Sequence, residues 1–263
     1  MSKDDFLAAF LAMFLLTFGW CLGLAVANEG EVYVYQQDEE QDLSLRLGLV
    51  GDYYKATLYV DDSGQFSTAD LYVNYRGFVA GKFNAGQGLE HATDGSKLQF
   101  LDRSLVAELT QLRRTGIGYV GSVRGLDIGA AVYDDELYAL RVHGDLGRGV
   151  RIGAHYSHMD DGSDVSAINR YGADLSLSTG LVQGSGEVVN HGGQWAGYSQ
   201  VSVQVRQLTP MVRVGWLEND RHRVTAGVAY QLTNDVVLQA QVSRDSLGET
   251  MTIGGVAARF DLM

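Results

Sequence analysis

The pattern that decides the fold is clearest in the stretch Arg223-Val-Thr-Ala-Gly-Val-Ala-Tyr-Gln231. On an extended strand, every second side chain points to the same face. One face of this stretch is therefore apolar, and the other carries arginine, threonine, glycine and glutamine. The apolar face consists of Val224, Ala226, Val228 and Tyr230. A period of two residues indicates a β-strand with different surroundings on its two faces, and helical spacing does not fit it.

The same alternation recurs along the chain between turn residues, which predicts an all-β fold of sixteen strands. The predicted strands are 31–36, 43–50, 54–61, 68–76, 78–84, 115–122, 126–133, 136–144, 149–158, 168–178, 181–189, 195–205, 210–217, 221–230, 235–244 and 250–261. An even number of strands leaves both ends of the chain on the same side of the sheet.

The connections between the predicted strands differ in length according to their parity. The odd ones are 37–42, 62–67, 85–114, 134–135, 159–167, 190–194, 218–220 and 245–249, and the even ones are 51–53, 77, 123–125, 145–148, 179–180, 206–209 and 231–234. The longest connections are all odd, although two odd ones are as short as the even set. Outer-membrane barrels show this asymmetry, with long external loops and short periplasmic turns.

A single uncharged apolar run, 6–27, precedes the alternating region. It ends in Ala25-Val-Ala27, the small-x-small pattern that signal peptidase cuts, which predicts a signal peptide over 1–27 and one domain over 28–263. The residues ahead of the run are less basic than usual, and a retained anchor helix is the alternative. No second run of this kind follows. An exported chain with this pattern crosses a membrane as a closed antiparallel barrel, in which every backbone group is paired.

Composition limits the possible partners and chemistry. The chain carries 32 acidic and 20 basic residues, a net charge of −12. Nucleic acid is excluded as a partner because its binding needs a basic face. The single cysteine, Cys21, lies inside the predicted signal peptide, so the exported domain has no disulfide framework.

Three motifs suggest a ligand but have simpler interpretations. Gly116-Ile-Gly-Tyr-Val-Gly121 matches a dinucleotide-binding pattern, yet it lies within a strand and lacks the helix N-terminus that holds the pyrophosphate. His155 and His158 are an odd number of residues apart and face opposite sides of a strand. Asp160-Asp-Gly-Ser-Asp164 is typical of a solvated acidic loop, with loose calcium binding as the alternative. The sequence therefore predicts no catalytic residue, cofactor or metal site, and the chain is not expected to be an enzyme.

The strongest functional signal is the set of basic residues predicted opposite the apolar face, where they would line a pore. They are Arg46, Lys55, Arg76, Lys82, Arg141, Arg151, Arg170, Arg206, Arg213, Arg223 and Arg259. Fixed cations in a pore favour the passage of anions. The alternative is that these residues pair with lumen carboxylates and only brace the wall. The candidate carboxylates are Asp61, Asp70, Asp127 and Asp174.

Six segments between Arg46 and Gly118 carry a family resemblance through their order and spacing. They are Arg46-Leu-Gly-Leu-Val-Gly51, Ala69-Asp-Leu-Tyr-Val-Asn-Tyr-Arg-Gly77, Gly81-Lys-Phe83, Gly88-Leu-Glu90, Phe100-Leu-Asp-Arg-Ser-Leu105 and Arg114-Thr-Gly-Ile-Gly118. In these segments the chain resembles the phosphate-selective porin O and P family. It departs from the family pattern at Asn84-Ala-Gly-Gln87, which lacks a lysine and a proline, and at Asp102, where the family has glutamate.

The resemblance implies a sixteen-stranded trimeric barrel whose third loop folds into the lumen. The connection 85–114 is third among the odd loops, so it is the predicted constriction. The predicted constriction residues are Glu90, Asp94, Lys97, Asp102 and Arg103. Acidic and basic residues balance along this loop, which predicts at most weak selectivity. Lys82 and Arg76 are expected beside the constriction.

These observations predict an outer-membrane porin, a passive channel for small hydrophilic solutes with a weak preference for anions or phosphate. Its expected partners are the lipid of the bacterial outer membrane, the solutes and two further copies of the chain in a homotrimer. The alternative is a non-transporting outer-membrane barrel, either an enzyme or a structural anchor. An enzyme would need a nucleophile and a base converging on one face, an arrangement that the sequence does not indicate.

Overall fold

A computed structural model of the chain describes residues 29–37, 42–51, 54–60, 66–83, 104–106, 114–134, 137–159 and 168–261. The predicted signal peptide lies outside the described residues. Within these ranges there are sixteen strands: β1 (Glu29–Gln37), β2 (Asp42–Gly51), β3 (Tyr54–Val60), β4 (Phe66–Tyr75), β5 (Phe78–Phe83), β6 (Arg114–Val123), β7 (Leu126–Tyr133), β8 (Tyr138–Gly147), β9 (Val150–Met159), β10 (Ile168–Ser178), β11 (Val182–His191), β12 (Gln194–Val203), β13 (Leu208–Leu217), β14 (His222–Gln231), β15 (Val236–Asp245) and β16 (Thr250–Asp261).

The strands form one closed barrel. Each strand pairs antiparallel with its neighbours in the sequence, and β1 also pairs with β16. The closing register runs from Glu29 opposite Asp261 to Gln37 opposite Ile253. Closure pairs the two edges that an open sheet would leave exposed. The all-β antiparallel barrel predicted from the alternation is confirmed.

The two faces of the wall have different surroundings, as β13 shows. Met211 and Arg213 are buried, whereas Val212, Val214 and Trp216 between and beyond them are more than 40% exposed. The buried face carries most of the polar side chains and is also the face that the segment 104–106 contacts. We therefore take it as the inner face of the barrel. The exposed apolar face is the outer one, as in barrels that contact lipid.

The connections of the even set, at one end of the barrel, are short turns. The described turns of the even set are 76–77, 124–125, 148–149, 179–181, 204–207 and 232–235. The predicted turn 145–148 begins too early: β8 continues to Gly147, and the turn is 148–149. A register shift between Asp145 and Gly147 admits the extra residue, and Gly147 has a φ of 83°. A bulge of this kind keeps strand pairing beyond a position where the alternation is lost.

No helix within the described ranges is long and apolar enough to cross a membrane.

Close contact between strands makes one glycine critical. Gly81 on β5 has a φ of 130°, and a Cβ there would lie 2.8 Å from the Cα of Tyr72 on β4 and also against the carbonyl oxygen of Leu71. Gly81→Ala is therefore expected to destabilise the barrel by about 1–3 kcal/mol, because both the backbone conformation and the strand contact resist a side chain. Urea unfolding of the refolded barrel measures this loss.

The matched control is Gly254→Ala. Gly254 has an ordinary φ, and no atom lies within 4 Å of the Cβ position, so its unfolding midpoint should stay close to that of the wild type. Equal midpoints for the two variants would contradict the strand contact at Gly81.

Candidate functional site: the inner wall of the barrel

Six of the predicted pore-lining residues lie on the inner face: Lys55, Arg141, Arg151, Arg170, Arg213 and Arg223. Their positions follow from strand parity, since each lies two or four residues from a buried residue on the same strand. Arg213 lies two residues from the buried Met211, and Arg223 lies two residues from the buried Thr225. These residues are on different strands, so the barrel distributes the positive charges around the wall.

Lys82 is on the other face. Its partners across β4 and β6 are Leu71 and Thr115, and Leu71 is 56% exposed on the outer face. The inward positions of β5 are Val79, Gly81 and Phe83, of which Val79 and Phe83 are buried. The prediction that Lys82 lines the pore is therefore wrong. β5 carries apolar residues on both faces, so alternation alone does not indicate which face is inner.

Arg76 and Arg206 are not on the wall. Both lie in short turns, exposed and with positive φ, at 51° and 57°. Their assignment to the pore came from extending the strand pattern into the turn. The side chains of Arg46 and Arg259 lie outside the described residues, as do all five predicted constriction residues: Glu90, Asp94, Lys97, Asp102 and Arg103.

A buried ion pair on the wall joins β8 to β10. The Arg141 Nη2 atom lies 3.1 Å from each carboxylate oxygen of Asp174, and both side chains are about 5% exposed. The pair passes over Gly153 on the intervening strand β9. A Cβ at Gly153 would lie 2.6 Å from Asp174 Oδ2, so glycine leaves room for the carboxylate. A paired charge of this kind braces the wall and contributes little net charge to the lumen.

A second pair repeats this arrangement one strand further along. The His155 Nε2 atom on β9 lies 3.7 Å from Glu187 Oε1 on β11, and both side chains are buried. Gly172 on β10 lies between them, and a Cβ there would be 2.6 Å from His155 Nε2. Sequence analysis missed Glu187 as a wall residue. The signal was available, because Glu187 has the same parity as the inward positions of β11.

The neighbouring strands β10 and β11 also contact directly, where Arg170 Nε donates to His191 Nδ1 at 2.6 Å. His158, by contrast, lies on the outer side of β9 and contacts Asn169 Oδ1 at 2.9 Å. The prediction that His155 and His158 face opposite sides is confirmed. The arrangement places a strip of charged and polar side chains across β8 to β11.

A more accessible cluster surrounds Asp127 near the short-turn end. Arg151 Nη2 lies 2.7 Å and His143 Nε2 lies 2.8 Å from Asp127 Oδ2, and Ser122 donates to Oδ1. The Arg151 and Asp127 side chains are 48% and 39% exposed. Near β3 and β4, Lys55 Nζ is 3.8 Å from Asp70. Three of the four candidate carboxylates thus pair with wall cations, and Asp61 lies outside the described residues.

The long β5–β6 connection contacts the wall on the far side of the barrel. Its described residues, Ser104, Leu105 and Val106, are at most 2% exposed. Val106 packs with Val189, Ala196, Tyr198 and Leu217 on β11, β12 and β13. These strands lie six to eight positions from β5 around a ring of sixteen. The connection therefore crosses the lumen, which confirms the predicted inward fold of the third loop.

The fold is similar to that of solved outer-membrane porins. A substituted form of the Rhodopseudomonas blastica porin gives a TM-score of 0.59 at 14% identity, covering 89% of this chain and 99% of that one. A loop-deletion mutant of OmpT, an outer membrane protein of Vibrio cholerae, gives 0.59 at 12% identity, covering 88% and 98%. A triple mutant of the Rhodopseudomonas blastica porin gives 0.59 at 14% identity over 89% and 99%. At these identities the likeness shows the fold, a porin-type β-barrel.

No protein-family model matches the sequence, and no curated protein matches it.

Proposed function

We propose that the chain is an outer-membrane porin, a passive channel for small hydrophilic solutes. The observation that carries this proposal is a polar inner wall crossed by the β5–β6 connection, inside a barrel with an apolar outer face. Such a barrel satisfies its backbone hydrogen bonds within the sheet and presents apolar side chains to lipid. Localisation in the bacterial outer membrane, export by a signal peptide over residues 1–27 and assembly as a homotrimer belong to the same proposal.

The proposed selectivity is weak, with at most a small preference for anions. Wall cations at β3, β8 and β9 are paired with carboxylates, so their fields largely cancel at the distance of a passing ion. The odd connections carry eighteen acidic and four basic residues, which repel anions at the mouth. Membership in the phosphate-selective porin O and P family is supported by the six matching segments. Because several wall cations are paired with carboxylates, we expect a less selective channel than that family name implies.

A channel is favoured over the alternative of a non-transporting enzyme or anchor. The inner face uses charged residues in pairs that join β3 to β4 and β8 to β10, and the similar folds are porins. The buried inner side chains of β13, β14 and β15 are mostly polar or charged. A polar lumen suits ions and small solutes.

Reversal-potential measurements in planar bilayers test this proposal. Under a potassium chloride gradient, the wild type is expected to show a small anion preference. The double variant Arg151→Gln, Arg223→Gln is expected to shift the reversal potential toward cation preference, because it removes two accessible cations from the inner face.

The matched control is Lys82→Gln, which removes one positive charge from the outer face and should leave the reversal potential unchanged. A Lys82→Gln shift as large as that of the double variant would show that the two faces are wrongly assigned. The absence of any channel activity from the correctly folded wild-type barrel would reject the porin function itself.

A further inference from the structure

Four short turns at one end of the barrel share an unusual feature. Within the described residues, five non-glycine residues have positive φ, and four of them are arginines in these turns. They are Arg76, Arg124, Arg148 and Arg206, with φ between 51° and 57°. In the first three turns a glycine with positive φ follows, so both central residues are left-handed, as in a type I′ hairpin turn.

Arginine is a poor choice for this backbone conformation. The left-handed region disfavours side chains with a Cβ, and hairpin turns of this type usually contain asparagine, aspartate or glycine. Turn geometry alone does not explain arginine at four separate turns. The side chain is therefore expected to supply an interaction that offsets the backbone cost.

The apolar neighbours of the turns place the four arginines beside the outer face of the barrel. Three of the turns are flanked on both sides by exposed residues of the outer face: Tyr75 and Phe78, Val123 and Leu126, and Val205 and Leu208, each between 46% and 68% exposed. Beside Arg148, the exposed apolar residue is Leu146, at 65%. Each arginine thus projects from the end of a hairpin whose last apolar side chains point outward. An apolar stem with a cationic end suits the boundary between hydrocarbon and headgroups.

Aromatic contacts add to this boundary at the β4–β5 turn. The Arg76 guanidinium lies 5.3 Å from the centre of the Tyr75 ring, and Phe78 packs edge to face on Tyr119 with ring centres 5.4 Å apart. Aromatic residues of the outer face concentrate at the two interfaces of a membrane barrel. The β4–β5 turn therefore has the composition of an interfacial site.

The arginines form an arc around the rim. Turns β4–β5, β6–β7 and β8–β9 are consecutive at this end, so they are spaced about 10 Å apart, two strand widths. The β12–β13 turn extends the arc further around the rim. The β10–β11 turn, with the exposed Leu181, lies between the β8–β9 and β12–β13 turns. Among the described residues, no carboxylate forms an ion pair with any of the four arginines.

We propose that this arginine arc binds the phosphate groups of anionic phospholipid headgroups in the leaflet at the short-turn end. The inference rests on the proposed membrane function. A planar guanidinium donates two parallel hydrogen bonds to a phosphate, and the apolar flanks place it at headgroup depth. The occupant is a lipid rather than a free anion because every arginine adjoins exposed apolar residues that acyl chains would cover.

Native mass spectrometry of the refolded full-length barrel tests this assignment, with phosphatidylglycerol and phosphatidylcholine as probes. The wild type is expected to retain phosphatidylglycerol over phosphatidylcholine. The variant Arg76→Asn, Arg124→Asn, Arg148→Asn, Arg206→Asn should bind phosphatidylglycerol at least about tenfold more weakly. Asparagine tolerates the left-handed conformation, so the turns are kept while the charge is lost.

Two single variants provide the matched comparison. Arg206→Asn should weaken phosphatidylglycerol binding, whereas Arg244→Asn, on the outer face at the opposite end of the barrel, should not. Inorganic phosphate at millimolar concentration should not displace the lipid, because it makes no contact with the apolar flanks.

Unchanged lipid retention by the quadruple variant, or displacement by inorganic phosphate, would overturn the lipid assignment. Conductance of the same preparations keeps this outcome separate from the porin function. Wild-type channels without lipid preference would reject only the arginine arc, and a folded barrel that forms no channel would reject the porin function.

Discussion

Deletion of residues 90–108 is expected to raise the single-channel conductance by about twofold or more, because the deletion removes a segment that crosses the lumen. Val106 at its far end packs against Val189, Ala196 and Tyr198 on the opposite wall. The shortened connection still joins β5 to β6, which are adjacent strands, so loop closure costs little. The barrel is therefore expected to assemble, and single-channel recordings in planar bilayers measure the change.

A point variant separates loss of the loop from loss of its anchor. Val106→Asp places a carboxylate in an apolar cluster, where burial of the charge is costly. It is expected to release the loop and give a larger or fluctuating conductance. Val106→Ile keeps the apolar contact and serves as the control. Wild-type conductance in both the deletion and Val106→Asp would contradict a pore-narrowing role for this connection.

The Arg141→Gln variant is expected to lose about 3–5 kcal/mol of stability, because it leaves the Asp174 carboxylate buried without its cation. The double variant Arg141→Gln, Asp174→Asn should recover a large part of that loss, since no uncompensated charge remains. Urea unfolding of the refolded barrel, arranged as a double-mutant cycle, measures the coupling between the two residues.

The control for this cycle is the accessible pair on the same wall. Arg151→Gln breaks the contact with Asp127, where both side chains are more than a third exposed, and should cost about 1 kcal/mol or less. Equal losses for Arg141→Gln and Arg151→Gln would show that burial does not distinguish the two pairs. Additive losses in the Arg141–Asp174 cycle would show that these residues do not interact.

Strand positions are predictable from the sequence where one face is polar and the other apolar. The predicted segment 221–230 differs from β14, His222–Gln231, by one residue at each end. Alternation is a local property, so each strand can be recognised without knowledge of its neighbours. The same property predicts that Arg213 and Arg223 face inward, because Arg213 lies between two valines and Arg223 alternates with Val224 and Ala226.

Face assignment is lost where alternation is weak. In Phe78-Val-Ala-Gly-Lys-Phe83, both sets of alternate residues are largely apolar, and Lys82 is on the outer face. A shift of one residue exchanges the two faces of a strand, so a single ambiguous position is enough to cause the error. At Arg76 the difficulty is a strand boundary, since the residue lies in a turn just beyond β4.

The sequence by itself determines the class of the fold, the order of the strands and the polarity of most wall positions, because these depend on residues near one another in the chain. Tertiary structure alone decides which charges meet. The Arg141–Asp174 pair depends on the registers of β8, β9 and β10 together and on the glycine between them. The arginine arc likewise appears only when turns distant in sequence are brought to one rim. Charge pairing depends on distances between strands, which the closed barrel fixes and the local pattern does not.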